Sequence, residues 1–121
     1  KWEQSAGFAL DTHPGVVKWV KNEHLGFVIP YRKNGVASSY IPDFIAETDI
    51  GLKLILETKG QYRDDADLKA KASERWVKAV NEDGNWGMWL YVMVSDPSAL
   101  PNILNEHASA QWDAESLELK K

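Results

Sequence analysis

Apolar and polar positions change period several times along the chain, and each change marks an element. Residues 2–10 put Trp2, Ala6, Ala9 and Leu10 on one side of a helix. Thr12-His13-Pro14 then offers a cap and a first-turn proline, and Val16, Val17, Trp19 and Val20 supply the apolar stripe of a second short helix. Residues 25–31 read as a strand, and Arg32-Lys33-Asn34-Gly35 as a hairpin turn. Residues 40–46 and 52–59 are apolar strands on either side of a Thr48-Asp49-Ile50-Gly51 turn. Pro42 cannot donate to a ladder, so it marks a bend or bulge. The clearest helix spans 64–83. Asp64, Asp65 and Asp67 favour its positive end, Leu68, Ala72, Trp76, Ala79 and Val80 form its buried stripe, and Gly84 stops it. Trp86 to Val94 is a continuous apolar run, as in a strand covered on both faces. A last helical segment follows Asp96-Pro97 and is interrupted by Pro101. The order α-α-β-β-β-α-β-α predicts an α/β fold, a mixed sheet flanked by helices.

Charge enters this pattern in an unexpected place. Tyr40-Ile41-Pro42-Asp43-Phe44 carries a lone acid on one apolar strand, and Leu54-Ile55-Leu56-Glu57-Thr58-Lys59-Gly60 carries Glu-x-Lys on the next. An unpaired ion in an apolar interior costs several kcal/mol. Glu57 and Lys59 are two residues apart and share a strand face. If the two strands form a hairpin, Asp43 lies nearly opposite Glu57, with Cβ atoms roughly 4.5–5.5 Å apart. Two carboxylates at that spacing can share one cation. Oxygen ligands select a hard metal, Mg²⁺ or Mn²⁺.

Pro42-Asp43 followed by Glu57-Thr58-Lys59 resembles the PD-(D/E)XK nuclease superfamily. The context around it is similar to the endonuclease domain of type III restriction enzyme Res subunits and related helicase-nucleases. Val20-Lys21-Asn22, Phe27-Val28-Ile29-Pro30-Tyr31, the Gly35 turn, the two motif strands and Glu74-Arg75-Trp76-Val77-Lys78-Ala79-Val80-Asn81 occur in that order. The likeness covers roughly residues 1–95 and thins after Asp96. It implies a restriction-endonuclease-like core and Mg²⁺-dependent hydrolysis of DNA phosphodiesters, with Mn²⁺ able to substitute, leaving a 5′-phosphate and a 3′-hydroxyl. Asp43, Glu57 and the Thr58 carbonyl would be the metal ligands. Lys59 would orient the attacking water or offset charge on the phosphorane. The first helix of the superfamily often adds an acid, which here would be Glu3; Glu23 and Asp11 compete less well for that role. The parent protein would carry an upstream helicase/ATPase motor and work in the cytoplasm in phage defence by restriction-modification, with a modification (methyltransferase) subunit as a possible partner.

Composition bounds these expectations. A chain of 121 residues is one domain that can bury a core, and its lack of an initial Met suggests a piece excised from something longer. It has no run of about 18 apolar residues to span a membrane, and no signal-peptide pattern opens it. The absence of Cys excludes disulfides and thiolate zinc sites and fits a reducing compartment. No phosphate-binding glycine loop encodes ATP binding, and the three His lack ligand spacing. The net charge of −4 weighs against nucleic acid, because phosphate contacts dominate such binding; a local basic face is compatible with it.

Each candidate also has a plainer reading. Asp43 also fits a turn or cap residue, Glu57–Lys59 a solvated pair on an edge strand, and Glu3 a solvated helix-face acid, although the flanking apolar runs and the family likeness weigh against the first two. Gln61 and Lys69 are candidate phosphate contacts. Lys71, Arg75 and Lys78 form a helix stripe that either tracks DNA phosphates or pairs with Asp67 and Glu74 at i,i+4 spacing. Two rival functions stay open: a catalytically silent nuclease-fold module for DNA binding or scaffolding, and a metal-binding regulatory domain.

Overall fold

The computed structural model describes residues 2–23, 25–58 and 66–113. Helix α1 (Trp2–Thr12) leads into strand β1 (Val16–Lys21). A hairpin of β2 (Ile29–Lys33) and β3 (Val36–Tyr40) follows, then β4 (Phe44–Thr48), β5 (Leu52–Thr58), helix α2 (Ala66–Asp83) and β6 (Met88–Val94). A 3₁₀ turn at Pro97–Ala99 runs into the short helix α3 (Leu100–Glu106). The main sheet has the order β1-β4-β5-β6. Its first three strands are antiparallel, and β6 lies parallel to β5, across the connection that contains α2. The β2–β3 hairpin forms a separate two-stranded sheet. The chain is thus α/β, a mixed sheet flanked by helices.

Two apolar cores cover the two faces of that sheet. On one face Ala6, Ala9 and Leu10 of α1 and Leu100 and Leu104 of α3 pack on Phe44, Ala46, Leu54, Leu56 and Val94. On the other, Ala72 and Val77 of α2 join Ile29 and Tyr40 of the hairpin around Ile55. Leu54 and Leu56 face one way and Ile55 the other, the period of two that a strand imposes. Leu54 to Glu57 are buried without a break, so β5 is covered on both sides.

The stretch expected to be a second helix is strand β1. Pro14-Gly15 ends α1, and Val16, Val17 and Val20 are β-branched residues stiff at χ1 and better fitted to a pleated surface. Pairing decides the outcome: β1 lies against β4, with Trp19 opposite Ala46 and Lys21 opposite Phe44, and supplies the outer strand. The strand expected over 25–31 begins later, at Ile29. The Asn34-Gly35 turn is as expected, with both residues at positive φ (53° and 77°), the pattern of a type I′ turn.

Helix α2 is also rotated from its expected stripe. Leu68 and Ala79 are exposed, while Ala72, Ser73 and Val77 are buried. The cause is a hydrogen-bonded serine. Ser73 Oγ donates to the Lys69 carbonyl at 2.8 Å and is hydrogen-bonded to the Tyr40 hydroxyl, so a polar side chain turns inward at little cost. Trp86, expected in the buried run, is 63% exposed.

The turn after β4 ties down the segment that follows α3. Asp49 accepts bonds from the Ser109 and Ala110 amides at 2.7 and 2.9 Å, which hold its carboxyl below the usual carboxylate range.

Candidate functional site

Asp43 stands where the chain leaves the small sheet and enters the large one. Pro42 is fully buried beside it, and the buried side chain of Asn22 clamps this crossing. Asn22 Nδ2 donates to the carbonyls of Pro42 (3.0 Å) and Phe27 (2.8 Å), and the Asn22 amide donates to the Asp43 carbonyl at 2.9 Å. Strand β4 begins one residue later, with Phe44 opposite Leu56. Continuing the ladder by one step sets Asp43 opposite Glu57.

Reciprocal bonds close that step. The Asp43 amide donates to Glu57 Oε1 at 3.1 Å, and the Thr58 amide donates to Asp43 Oδ2 at 3.0 Å. Trp2 Nε1 adds a third bond, to the same Oδ2, at 3.2 Å. Phe44 and Leu56 both point into the α1–α3 core. Glu57, next to Leu56 in β5, therefore faces away from that core, while Asp43, in the bend before β4, reaches both the Thr58 amide and the Trp2 indole at the end of the sheet. Glu57 is only 3% exposed and Asp43 is half-buried.

Glu3 does not join them. Its side chain is 60% exposed and pairs with Lys21 Nζ at 3.4 Å. The residue that α1 does deliver to the site is Trp2, whose ring also meets Phe44 edge-on at 5.9 Å. Trp2 and Asn22 were not singled out from sequence as holders of Asp43; no periodicity signals a side chain whose role is one long-range hydrogen bond. Lys59 and Gln61 lie outside the described residues. Lys69 places Nζ 5.3 Å from the centre of the Tyr40 ring, and Arg75 is exposed on α2.

Among the described residues no group of three or more acids or histidines could hold a metal. The donors expected from sequence are fewer than that, two carboxylates and the Thr58 carbonyl. That set suits Mg²⁺, which keeps several waters and takes one or two carboxylates plus substrate phosphate oxygens. Among the described residues, both bonds to the Asp43 carboxylate fall on Oδ2.

Two tyrosines back the pair. Burial pushes the Tyr40 hydroxyl above its ordinary range, against a smaller opposing effect of its bond to Ser73, and the charges of Glu57 and Asp43 add to the rise. Burial also pushes Tyr91 up strongly, with Tyr40 and Glu57 contributing. The Tyr91 hydroxyl is buried close to the Tyr40 hydroxyl, but no bond of ordinary hydrogen-bond geometry reaches it among the described residues. An unsatisfied buried donor costs about 1–3 kcal/mol. Tyr91→Phe is therefore expected to keep or raise the urea midpoint; a clear fall would show that the hydroxyl is satisfied in solution. Both shifts favour the protonated forms. Their contribution to stability is complete below the unfolded tyrosine pKa of about 10 and is lost as pH rises above it. The parent should therefore lose stability on alkaline titration, and Tyr91→Phe should lose less.

The chain matches no family model, no curated protein and no solved structure.

Proposed function

We propose that this domain is a Mg²⁺-dependent DNA endonuclease with a restriction-endonuclease-like core of the PD-(D/E)XK kind. The observation that carries the reading is the Asp43–Glu57 pair. Asp43, in the bend just before β4, and Glu57, near the end of β5, are linked by two backbone amides: the Asp43 amide donates to Glu57 Oε1 and the Thr58 amide to Asp43 Oδ2. The mixed sheet flanked by helices, with β6 parallel to β5, supports the α/β class to which such a core belongs.

Asp43, Glu57 and the Thr58 carbonyl would hold the metal. Bound Mg²⁺ supplies a Lewis acid for a phosphoryl oxygen and a water of lowered pKa. The protein's part is positional. Trp2 and the Thr58 amide orient Asp43, the Asp43 amide orients Glu57, and Lys59, two residues beyond Glu57, is assigned to the attacking water and to charge developing on the phosphate. In the wider reading the domain works in the cytoplasm beside a helicase/ATPase motor and a modification subunit. No helix among the described residues is long and apolar enough to cross a membrane.

Supercoiled plasmid incubated with the protein in Mg²⁺, Mn²⁺ or EDTA tests the reading. Nicking with either metal and none in EDTA is expected. No nicking at any protein concentration, with DNA still bound, would leave the silent nuclease-fold module in its place. One observation favours that rival: the backbone bonds satisfy both carboxylates in part without a cation.

A further inference from the structure

Helix α2 and the β2–β3 hairpin enclose an open cavity of about 410 Å³ away from the carboxylate pair. Arg32 of β2 and Lys71 and Arg75 of α2 line it, with Tyr31, Ser38 and Leu68 between them. The three cations are exposed, and among the described residues no acid lines the cavity. In a chain of net charge −4 this is a local reversal of sign.

Nothing else among the described residues accounts for these charges. The i,i+4 partnership expected between Asp67 and Lys71 is not formed, nor is that between Glu74 and Lys78. Among the described residues the ion pairs gather instead round Lys18 and Lys21. Arg32 is held in place by a bond from Nη1 to the Gly35 carbonyl at 3.1 Å, which leaves its other donors to face outward. Tyr31 packs edge-on against Tyr40 at 6.1 Å, and Tyr40 lies close enough to Glu57 and Asp43 to feel their charge.

We propose that Arg32, Lys71 and Arg75 bind the backbone phosphates of a DNA strand and lead it toward Asp43 and Glu57. The choice of DNA rests on the nuclease reading; the polyanion chemistry rests on the groove. Guanidinium forks match phosphate oxygens bidentately, and an ammonium between them acts as a point charge. Ser38 adds a neutral hydroxyl of the kind that often completes phosphate contacts.

The test is binding of a fluorescent 20-base-pair duplex to the Asp43→Ala chain, with and without R32Q/K71Q/R75Q. The triple variant should bind roughly tenfold or more weakly at low salt, and the slope of log K against log salt should flatten by roughly 0.9 for each phosphate no longer neutralised. Lys78→Gln, on the same helix but outside the groove, should change neither. Unchanged affinity and slope in the triple variant would overturn the proposal. So would displacement of the duplex by poly-glutamate as readily as by unlabelled DNA, which would assign the groove to an acidic polypeptide. If the triple variant melts earlier than its parent, Lys71→Gln and Arg75→Gln are measured singly; each should flatten the slope by roughly 0.9, and no change in either overturns the proposal. Plasmid nicking is scored separately. Weakened binding without nicking by the parent retains the groove and removes the nuclease reading, and nicking with unchanged binding does the reverse.

Discussion

Asp43→Asn and Glu57→Gln should each abolish Mg²⁺-dependent nicking while the melting transition stays near that of the parent. The reason lies in which atoms each amide preserves. The asparagine would keep an acceptor oxygen for the Thr58 amide and Trp2 Nε1, and the glutamine would keep one for the Asp43 amide. Both lose the negative charge a hard cation requires. Metal stabilisation of a phosphoryl transition state is worth several kcal/mol, so the rate should fall by about 10³-fold or more. The alanine variants separate site from scaffold. Asp43→Ala leaves the Thr58 amide and the Trp2 indole N–H without this partner, which costs about 1–3 kcal/mol for each donor left buried and unpaired. If the amide variants also melt much earlier, the charges themselves hold the fold together and a structural ion cluster replaces the metal site. Lys59→Ala should abolish nicking without a large change in melting, because its assigned role is at the phosphate.

The β4–β5 hairpin was legible because its signals are local. The strand expected over 40–46 was not, because β3 ends at Tyr40 and β4 begins at Phe44, which leaves Asp43 in the bend between them beside Pro42. The Thr48–Gly51 turn and the apolar runs on either side fix the β4–β5 register, and that register alone sets Asp43 opposite Glu57. Where tertiary packing overrides local pattern, the sequence misleads. Val16 to Val20 satisfies both a helical stripe and a strand, and only β4, some 25 residues later, selects the strand. Ser73 reads as a surface residue until Tyr40 is beside it. Glu3 is the nearest acid in α1, yet the adjacent indole reaches Asp43. Trp2 reads from sequence as core, and its ring is core; only the direction of its N–H, which depends on the packing of α1 against β1 and β4, makes it part of the site.

That dual role makes Phe44→Ala the most damaging single change expected outside the carboxylates. Phe44 is 1% exposed, meets Trp2 and Trp19 with ring centres 5.9 Å away in each case, and follows Asp43 directly in the chain. Truncating a buried phenylalanine typically costs 3–5 kcal/mol, from the transfer energy forgone and the cavity left behind. Against a typical domain stability of about 5–15 kcal/mol, much of the margin would go. For a small domain the urea slope is about 1–3 kcal/mol per molar, so the midpoint should fall by on the order of 2 M. Phe44→Leu refills most of the volume and should cost roughly 1.5 kcal/mol. The two variants also separate packing from positioning. With the ring gone, Trp2 loses the edge contact that aims its indole N–H, and Asp43 loses an orienting donor. Nicking by Phe44→Leu, measured well below its melting temperature, should therefore fall further than its modest instability explains. Full activity in a folded Phe44→Leu protein would show that Thr58 and Glu57 alone suffice to hold Asp43, and that the α1 indole contributes packing only.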